Sequence, residues 1–292
     1  MLIRSAHFPE EMTYKQIGKK TTTANVSDLA AMGAKPIGFL VAMGLPTDIK
    51  IDDFDKMVDG ILKACSYYEM PLIGGDINES GELTLCGTCL GVVKKGNVLM
   101  KSGAQIGDVV AVTGLLGLAA AGFEVLFAAE SKLKGLDPKV RSHVLGYALE
   151  PKARSKEGIL LAKTGFVSSA TDITDGLVSE IGEIVDASNR GIGMTIYEDM
   201  LPIPKEVTEV AHVVGKDPLE LAIYYGEDFE LLLIIKKDSF DKLKKKIKLY
   251  KIGDVTSSGR IEMINKEGTT NILTPRGYQH LGKYHEKRSI LV

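Results

Sequence analysis

Four acidic segments carry side chains that could hold a cation or a phosphate. In Asn25-Val-Ser-Asp28-Leu-Ala-Ala-Met-Gly-Ala-Lys-Pro36, Asp28 interrupts an apolar, small-residue helical surface, where an unpaired carboxylate is costly. A surface aspartate paired with a lysine is one reading. A ligand site is the other, because Ala30, Ala31, Gly33 and Ala34 would let a ligand or a second backbone come close. Gly74-Gly75-Asp76 follows a short apolar run. Two glycines at a strand end can turn amide N–H groups onto phosphate oxygens, and the adjacent carboxylate can hold Mg²⁺ on the same phosphates. An ordinary turn has the same composition. In Thr171-Asp172-Ile-Thr174-Asp175-Gly176-Leu177, Thr174 or Asp175 can serve as a helix N-cap. Capping gives Asp172 no task, and two carboxylates beside a helix N-terminus suit a metal–phosphate site. Tyr225-Gly-Glu227-Asp228-Phe-Glu230 places acids at the entrance to an apolar strand, as a site or as a solvated turn.

The elements that must position these residues alternate. A helix is expected over 13–33, a strand over 37–45, a helix capped by Asp52 to about Tyr68, a short buried strand over 71–76 running into a glycine turn, and a long strand over 82–94. Ser102-Gly-Ala-Gln-Ile-Gly-Asp108 is polar and glycine-bearing, and a fresh apolar strand, Val109-Val-Ala-Val-Thr113, follows it. Helices near 118–129, 138–147, 175–188, 205–213 and 238–246 then alternate with strands near 192–197, 229–235 and 250–254. The expected fold is α/β (α+β) with mixed sheets in two domains, residues 1–104 and 105–292.

Composition excludes other classes. The 292 residues carry a formal net charge of −2, without the basic face that a phosphate-backbone binder needs, so no nucleic-acid partner is expected. No run of eighteen apolar residues and no signal-peptide pattern occurs, so no membrane partner and a cytoplasmic location are expected. Cys86 and Cys89 have the spacing of half a zinc site, but in a strand they face opposite sides, and packing cysteines are the expectation. Phosphate-binding G-x-x-x-x-G-K-[ST] and protein-kinase signatures are absent, and Gly114-Leu-Leu-Gly117 lacks dinucleotide-loop spacing.

Taken in order, Met1-Leu-Ile-Arg-Ser-Ala-His7-Phe-Pro, Asn25 to Pro36, Gly74-Gly-Asp76, Lys101-Ser-Gly-Ala-Gln-Ile-Gly-Asp108, Asp172-Ile-Thr-Asp-Gly-Leu177 and Gly226-Glu-Asp-Phe-Glu-Leu231 resemble the thiamine-monophosphate kinase family. That family lies within the superfamily of aminoimidazole-ribonucleotide synthetase, and the resemblance extends to about Tyr278. It implies a two-domain PurM-like fold and a homodimer joined through N-terminal strands. It also implies ATP-dependent phosphorylation of thiamine monophosphate. By the same resemblance, Asp28, Asp76, Asp172 and Asp175 hold several Mg²⁺ ions, while Gly75, Asp76, Lys101 and Thr174 contact ATP. His7, Glu227 and Tyr278 surround thiamine monophosphate. Two positions depart from the family pattern. Lysine stands at 101 where the family has arginine, and Val58 and Asp59 occupy the region of a family tyrosine. The resemblance further implies Gly-Asp-Asp-Ala and Thr-Thr-Asp segments ahead of Met1, so that residues 1–104 form a shortened N-terminal domain. A catalytically silent nucleotide-binding partner of the same superfamily is the alternative.

Overall fold

The structure is a computed structural model that describes residues 1–188 and 191–276. Its first part contains β1 (Leu2–Ile3), α1 (Arg4–His7), α2 (Tyr14–Ala31), β2 (Lys35–Leu45), α3 (Ile51–Tyr67), β3 (Leu72–Glu79) and β4 (Thr84–Val92). The strands form a four-stranded sheet ordered β1-β4-β2-β3. A capping box starts α2: Thr13 accepts from the Gln16 N–H at 3.3 Å while the Gln16 side chain accepts from the Thr13 N–H at 3.0 Å. Helix α3 presents Met57, Ile61, Ala64 and Cys65 to the core. The two helices cross closely, since a Cβ on Gly18 would stand 2.1 Å from the Met57 carbonyl oxygen, and one on Gly60 would stand 2.0 Å from that of Lys15.

The second part contains β5 (Val109–Val112), α4 (Leu118–Phe127), α5 (Pro138–Leu149), α6 (Ser155–Ala162), β6 (Val167–Asp172), α7 (Leu177–Ala187), β7 (Gly193–Tyr197), α8 (Lys205–Val214), α9 (Pro218–Ile223), β8 (Leu231–Ile235), α10 (Phe240–Lys244), β9 (Tyr250–Thr256), β10 (Ile261–Ile264) and β11 (Thr270–Ile272). A seven-stranded sheet runs β11-β10-β7-β9-β5-β8-β6 and is mixed, with β10 and β7 parallel. Its core strand β8 is buried at every residue, the pattern of a central strand covered on both faces. Leu177, Ile181 and Ile184 of α7 pack on one face of the sheet, and Leu161 and Ala162 of α6 on the other.

Helix α2 joins the two parts. Gly158 of α6 lies so close to α2 that a Cβ would stand 2.1 Å from the Ala30 carbonyl oxygen, and one on Gly33 would stand 2.4 Å from the Ala162 Cβ. The small residues around Asp28 therefore admit a second helix.

Several local expectations need correction. Gly74-Gly75-Asp76 lies inside β3 rather than in a turn after it, and β3 is an exposed edge strand. Its apolar lettering is that of a buried strand, but no described strand or helix covers its outer edge. Lys50, not Asp52, is the N-cap of α3, and Asp52 sits in the first turn near the positive end of the helix dipole. Gly176 caps α7, so Thr174 and Asp175 are free of that duty. Cys86 is exposed and Cys89 half-buried, while Cys65 packs in the core as expected. The short elements α6, α9, β10 and β11 carry too few residues for their periodicity to stand out.

Candidate active site

Asp28 and Asp172 come together from helix α2 and the seven-stranded sheet. Asp28 lies near the end of α2 and Asp172 ends β6. Asp172 is buried, and its Oδ2 has no hydrogen-bond partner among the described residues. Ser27 on α2 stands beside it, yet the Ser27 Oγ is also buried without a well-angled bond. An orphaned buried carboxylate oxygen costs about 1–3 kcal/mol or more. Burial pushes the Asp172 carboxyl up, the Ser27 hydroxyl and Lys101 pull it back, and Glu183 adds to the rise. Asp28 keeps an exposed edge but is flanked by packed atoms. Desolvation and the neighbouring Asp172 charge push it up to about 6, against the pull of Lys101.

Lys101 lies close enough to act on both charges and forms an ion pair with Glu183 of α7. Burial disfavours its ammonium, but Glu183, Glu180 and Asp172 more than restore the charged form. Glu180, one turn earlier on α7, is buried and gathers the following loop. It accepts from the Thr171 and Thr174 hydroxyls, each at 3.4 Å, and from the Asp175 N–H at 3.3 Å. Burial and the Glu183 charge push it up to about 8.

A second group lies across the loop containing Gly226. Gly226 stacks so tightly on the preceding loop that a Cβ would stand 1.8 Å from the Thr174 carbonyl oxygen. The Glu227 N–H then donates to that oxygen at 2.9 Å, and Glu227 takes the left-handed conformation with φ 66°. The Lys20 ammonium, buried on α2, donates to the His7 carbonyl oxygen at 2.9 Å and meets the Glu227 Oε2 at 2.5 Å. The structure thus brings His7 and Glu227 to one lysine. Nearby, Arg154 grips the buried Glu230 through its Nε and Nη2, and Thr113 Oγ1 donates to the same carboxylate at 2.7 Å. A cleft of about 450 Å³ beside Arg154 is lined by none of the residues expected from the sequence.

Other expected residues stay apart. Gly75 and Asp76 lie on the exposed edge strand, where Asn78 Nδ2 donates to Asp76 Oδ2 at 3.3 Å. That hydrogen bond ties Asp76 to its own strand and not to the Asp28–Asp172 pair. Gly75 is required by strand pairing, since a Cβ would stand 2.0 Å from the Val41 carbonyl oxygen. Tyr278 lies outside the described residues.

Sequence reasoning missed Glu180, Glu183 and Lys20. For Lys20 a signal existed: it falls three residues after Ile17 on the apolar face of α2, where a lysine breaks the helical pattern. Glu180 looks like an exposed helix acid until β6 is placed beside α7, and Glu183 stays exposed but turns to Lys101.

Residues 1–93 match the family described as AIR synthase related protein, N-terminal domain, and residues 105–266 match the corresponding C-terminal domain. The thiamine-monophosphate kinase of Pyrococcus horikoshii is 35% identical over 286 residues, covering 96% of this chain and 84% of that protein. That of Bacillus subtilis is 30% identical over 290 residues, covering 96% and 86%. A solved structure described as AaThiL complexed with AMPPCP and TMP superposes with a TM-score of 0.84 at 26% identity, over 96% of this chain and 85% of that one. Hydrogenase maturation protein HypE, at 18% identity and a TM-score of 0.72, shares the fold alone. By its paired domains and its relatives, the chain belongs to the thiamine-monophosphate kinase family.

Proposed function

We propose that this chain transfers the γ-phosphoryl group of ATP to the phosphate of thiamine monophosphate, giving thiamine diphosphate and ADP. The observation that carries the reading is the meeting of Asp28 and Asp172 near Lys101, with a buried carboxylate oxygen left unpartnered. Two phosphorylated anions must approach each other in this reaction. The acceptor phosphate oxygen is already ionised at neutral pH, so positioning and charge neutralisation do most of the catalytic task. In the transfer the bond from the γ-phosphorus to the bridging oxygen of ADP breaks as a new bond forms to the acceptor oxygen.

Asp28, Asp76, Asp172 and Asp175 are assigned to Mg²⁺. The orphaned Asp172 oxygen and the mutual repulsion of Asp28 and Asp172 fit a divalent cation. When bound, Mg²⁺ offsets the negative charge of the phosphates. Among the described residues no three His, Cys, Asp or Glu side chains gather where a metal ion could be held, so phosphate and water oxygens would have to complete its shell. Gly75, Asp76, Lys101 and Thr174 are assigned to ATP. His7, Glu227 and Tyr278 are assigned to thiamine monophosphate, whose cationic thiazolium complements a carboxylate.

The same reading includes a homodimer, a division into domains near residue 104 and a cytoplasmic location. The four-stranded sheet leaves Ile73, Leu90 and Val92 exposed, and β3 is an open edge; both favour association. Sedimentation equilibrium at micromolar concentration should give twice the chain mass, and a monomer counts against the dimer.

The test of the activity is incubation of the purified chain with ATP, Mg²⁺ and thiamine monophosphate, with chromatography of the product. Thiamine diphosphate formed in proportion to ADP supports the proposal. Mg·ATP binding without product favours the silent-partner alternative.

A further inference from the structure

Lys20 belongs to no assigned site, and its environment is unusual for a lysine. The side chain is 1% exposed. Its ammonium lies 5.5 Å from the centroid of the Phe123 ring and 6.0 Å from that of Phe8, so it is lined by aromatic faces. Within this apolar slot it has a polar partner on each side: the His7 carbonyl oxygen from α1, and the Glu227 carboxylate from the loop before β8. Burial of an ammonium is tolerated only when it is paired and hydrogen-bonded.

The pairing reaches a backbone that strain would otherwise release. Glu227 and Phe229 are both left-handed, with φ 66° and 50°. Non-glycine residues hold that conformation only where their surroundings over-determine it. Here the Glu227 N–H is fixed to the Thr174 carbonyl oxygen and its carboxylate to Lys20. The Glu227 Oε2 meets Lys20 as an ion pair but has no well-angled hydrogen bond, so it retains accepting capacity.

We infer that Lys20 is a positioning residue for thiamine monophosphate, locking Glu227 and the His7 segment into one register across the junction of the two sheets. The inference rests on the proposed kinase reading. It also separates Lys20 from the Asp28–Lys101 group, which lies nearer the other end of α2 and holds nucleotide. Lys20 acts through Glu227 and the His7 segment without touching the reacting atoms.

Steady-state kinetics on Lys20→Met, Lys20→Arg and the double variant Lys20→Met/Glu227→Gln test this. Lys20→Met should raise KM for thiamine monophosphate at least about tenfold, as expected for loss of a contact used in substrate binding, while KM for ATP stays within about threefold. The charge-keeping Lys20→Arg should fall between wild type and Lys20→Met. The double variant removes both charges, so it should recover thermal stability without recovering KM for thiamine monophosphate. A merely structural lysine would change melting temperature and active fraction and leave both KM values alone, and that outcome overturns the inference. If Lys20→Met does not fold, Lys20→Arg and the double variant decide by the same KM ratio. A wild-type chain that makes no thiamine diphosphate overturns the kinase reading and this inference with it. Wild-type turnover with unchanged KM values in the variants overturns the inference alone.

Discussion

The two charge groups where helix α2 meets the seven-stranded sheet are built on opposite plans. Around Lys20 and Arg154, Glu227 and Glu230 each meet a cation, Glu230 also accepts from Thr113, and both oxygens of the buried Asp228 between them accept from the Gly117 N–H. Around Asp28, Asp172 and Glu180, acids outnumber the one lysine that faces them among the described residues, and that lysine is also engaged by Glu183. Complete pairing rigidifies a junction. Incomplete pairing leaves a field that a cationic or metal-bridged ligand would relieve, and stores instability until it arrives. The comparison teaches that burial alone does not mark the reactive site here; burial with a carboxylate oxygen that has neither cation nor donor among the described residues, as at Asp172, does.

Breaking the paired region should cost most in stability. Arg154→Met leaves Glu230, 2% exposed, with Thr113 as its remaining side-chain partner among the described residues. Removing one member of a buried pair costs about 3–5 kcal/mol, and the lower end is expected because Thr113 remains. Urea unfolding followed by circular dichroism reads this directly. A loss below about 1 kcal/mol would show that the pair is solvated and that the contrast is misplaced.

Breaking the unpaired region should cost activity and spare stability. Asp172→Asn keeps the shape of the side chain and removes its charge, so kcat/KM should fall by about 10²–10³, the usual effect of one well-placed electrostatic contact. Its melting temperature without ligand should equal or exceed that of wild type, because burial already opposes the charged carboxylate. A variant that loses stability and activity together would place Asp172 with the structural acids.

The smallest effect is a pH dependence. Asp28 is raised from 3.8 to about 6, so the folded chain binds more protons than the unfolded chain between those values. The stability from this group is full below the unfolded value and is lost as pH rises through about 6. Asp28→Asn removes the dependence. It should therefore be more stable than wild type at pH 7.5 by about 1 kcal/mol, a figure discounted for the exposed edge of the side chain, and no more stable at pH 4. Urea midpoints at the two pH values measure the difference, and an equal gap at both would remove Asp28 from the coupled group.

Asp28 and Asp172 are legible in the sequence because each breaks a local pattern: one interrupts an apolar helix face, and the other precedes a cap without serving it. The long helices and central strands are legible from periodicity. What cannot be read are relations between elements distant in sequence. Glu180 becomes a buried acid only when β6 and α7 lie side by side, and Lys20 finds Glu227 more than two hundred residues away. The small residues after Asp28 invite a ligand on paper, yet in three dimensions Gly158 and Ala162 of α6 occupy that space. Gly74-Gly75-Asp76 shows the converse, since its apolar approach suggests a buried strand, whereas sheet order leaves β3 at the edge.

The central claim, that Asp28 and Asp172 form the Mg·ATP site, is tested most directly by calorimetric titration of a non-hydrolysable ATP analogue into wild type, Asp28→Asn and Asp172→Asn, each with Mg²⁺ and with a chelator. Wild type should bind in a Mg²⁺-dependent manner, and each variant should bind at least about tenfold more weakly with Mg²⁺, a loss of about 1.4 kcal/mol. Equal affinities in all three proteins, or binding of the same strength in the chelator, would contradict the claim.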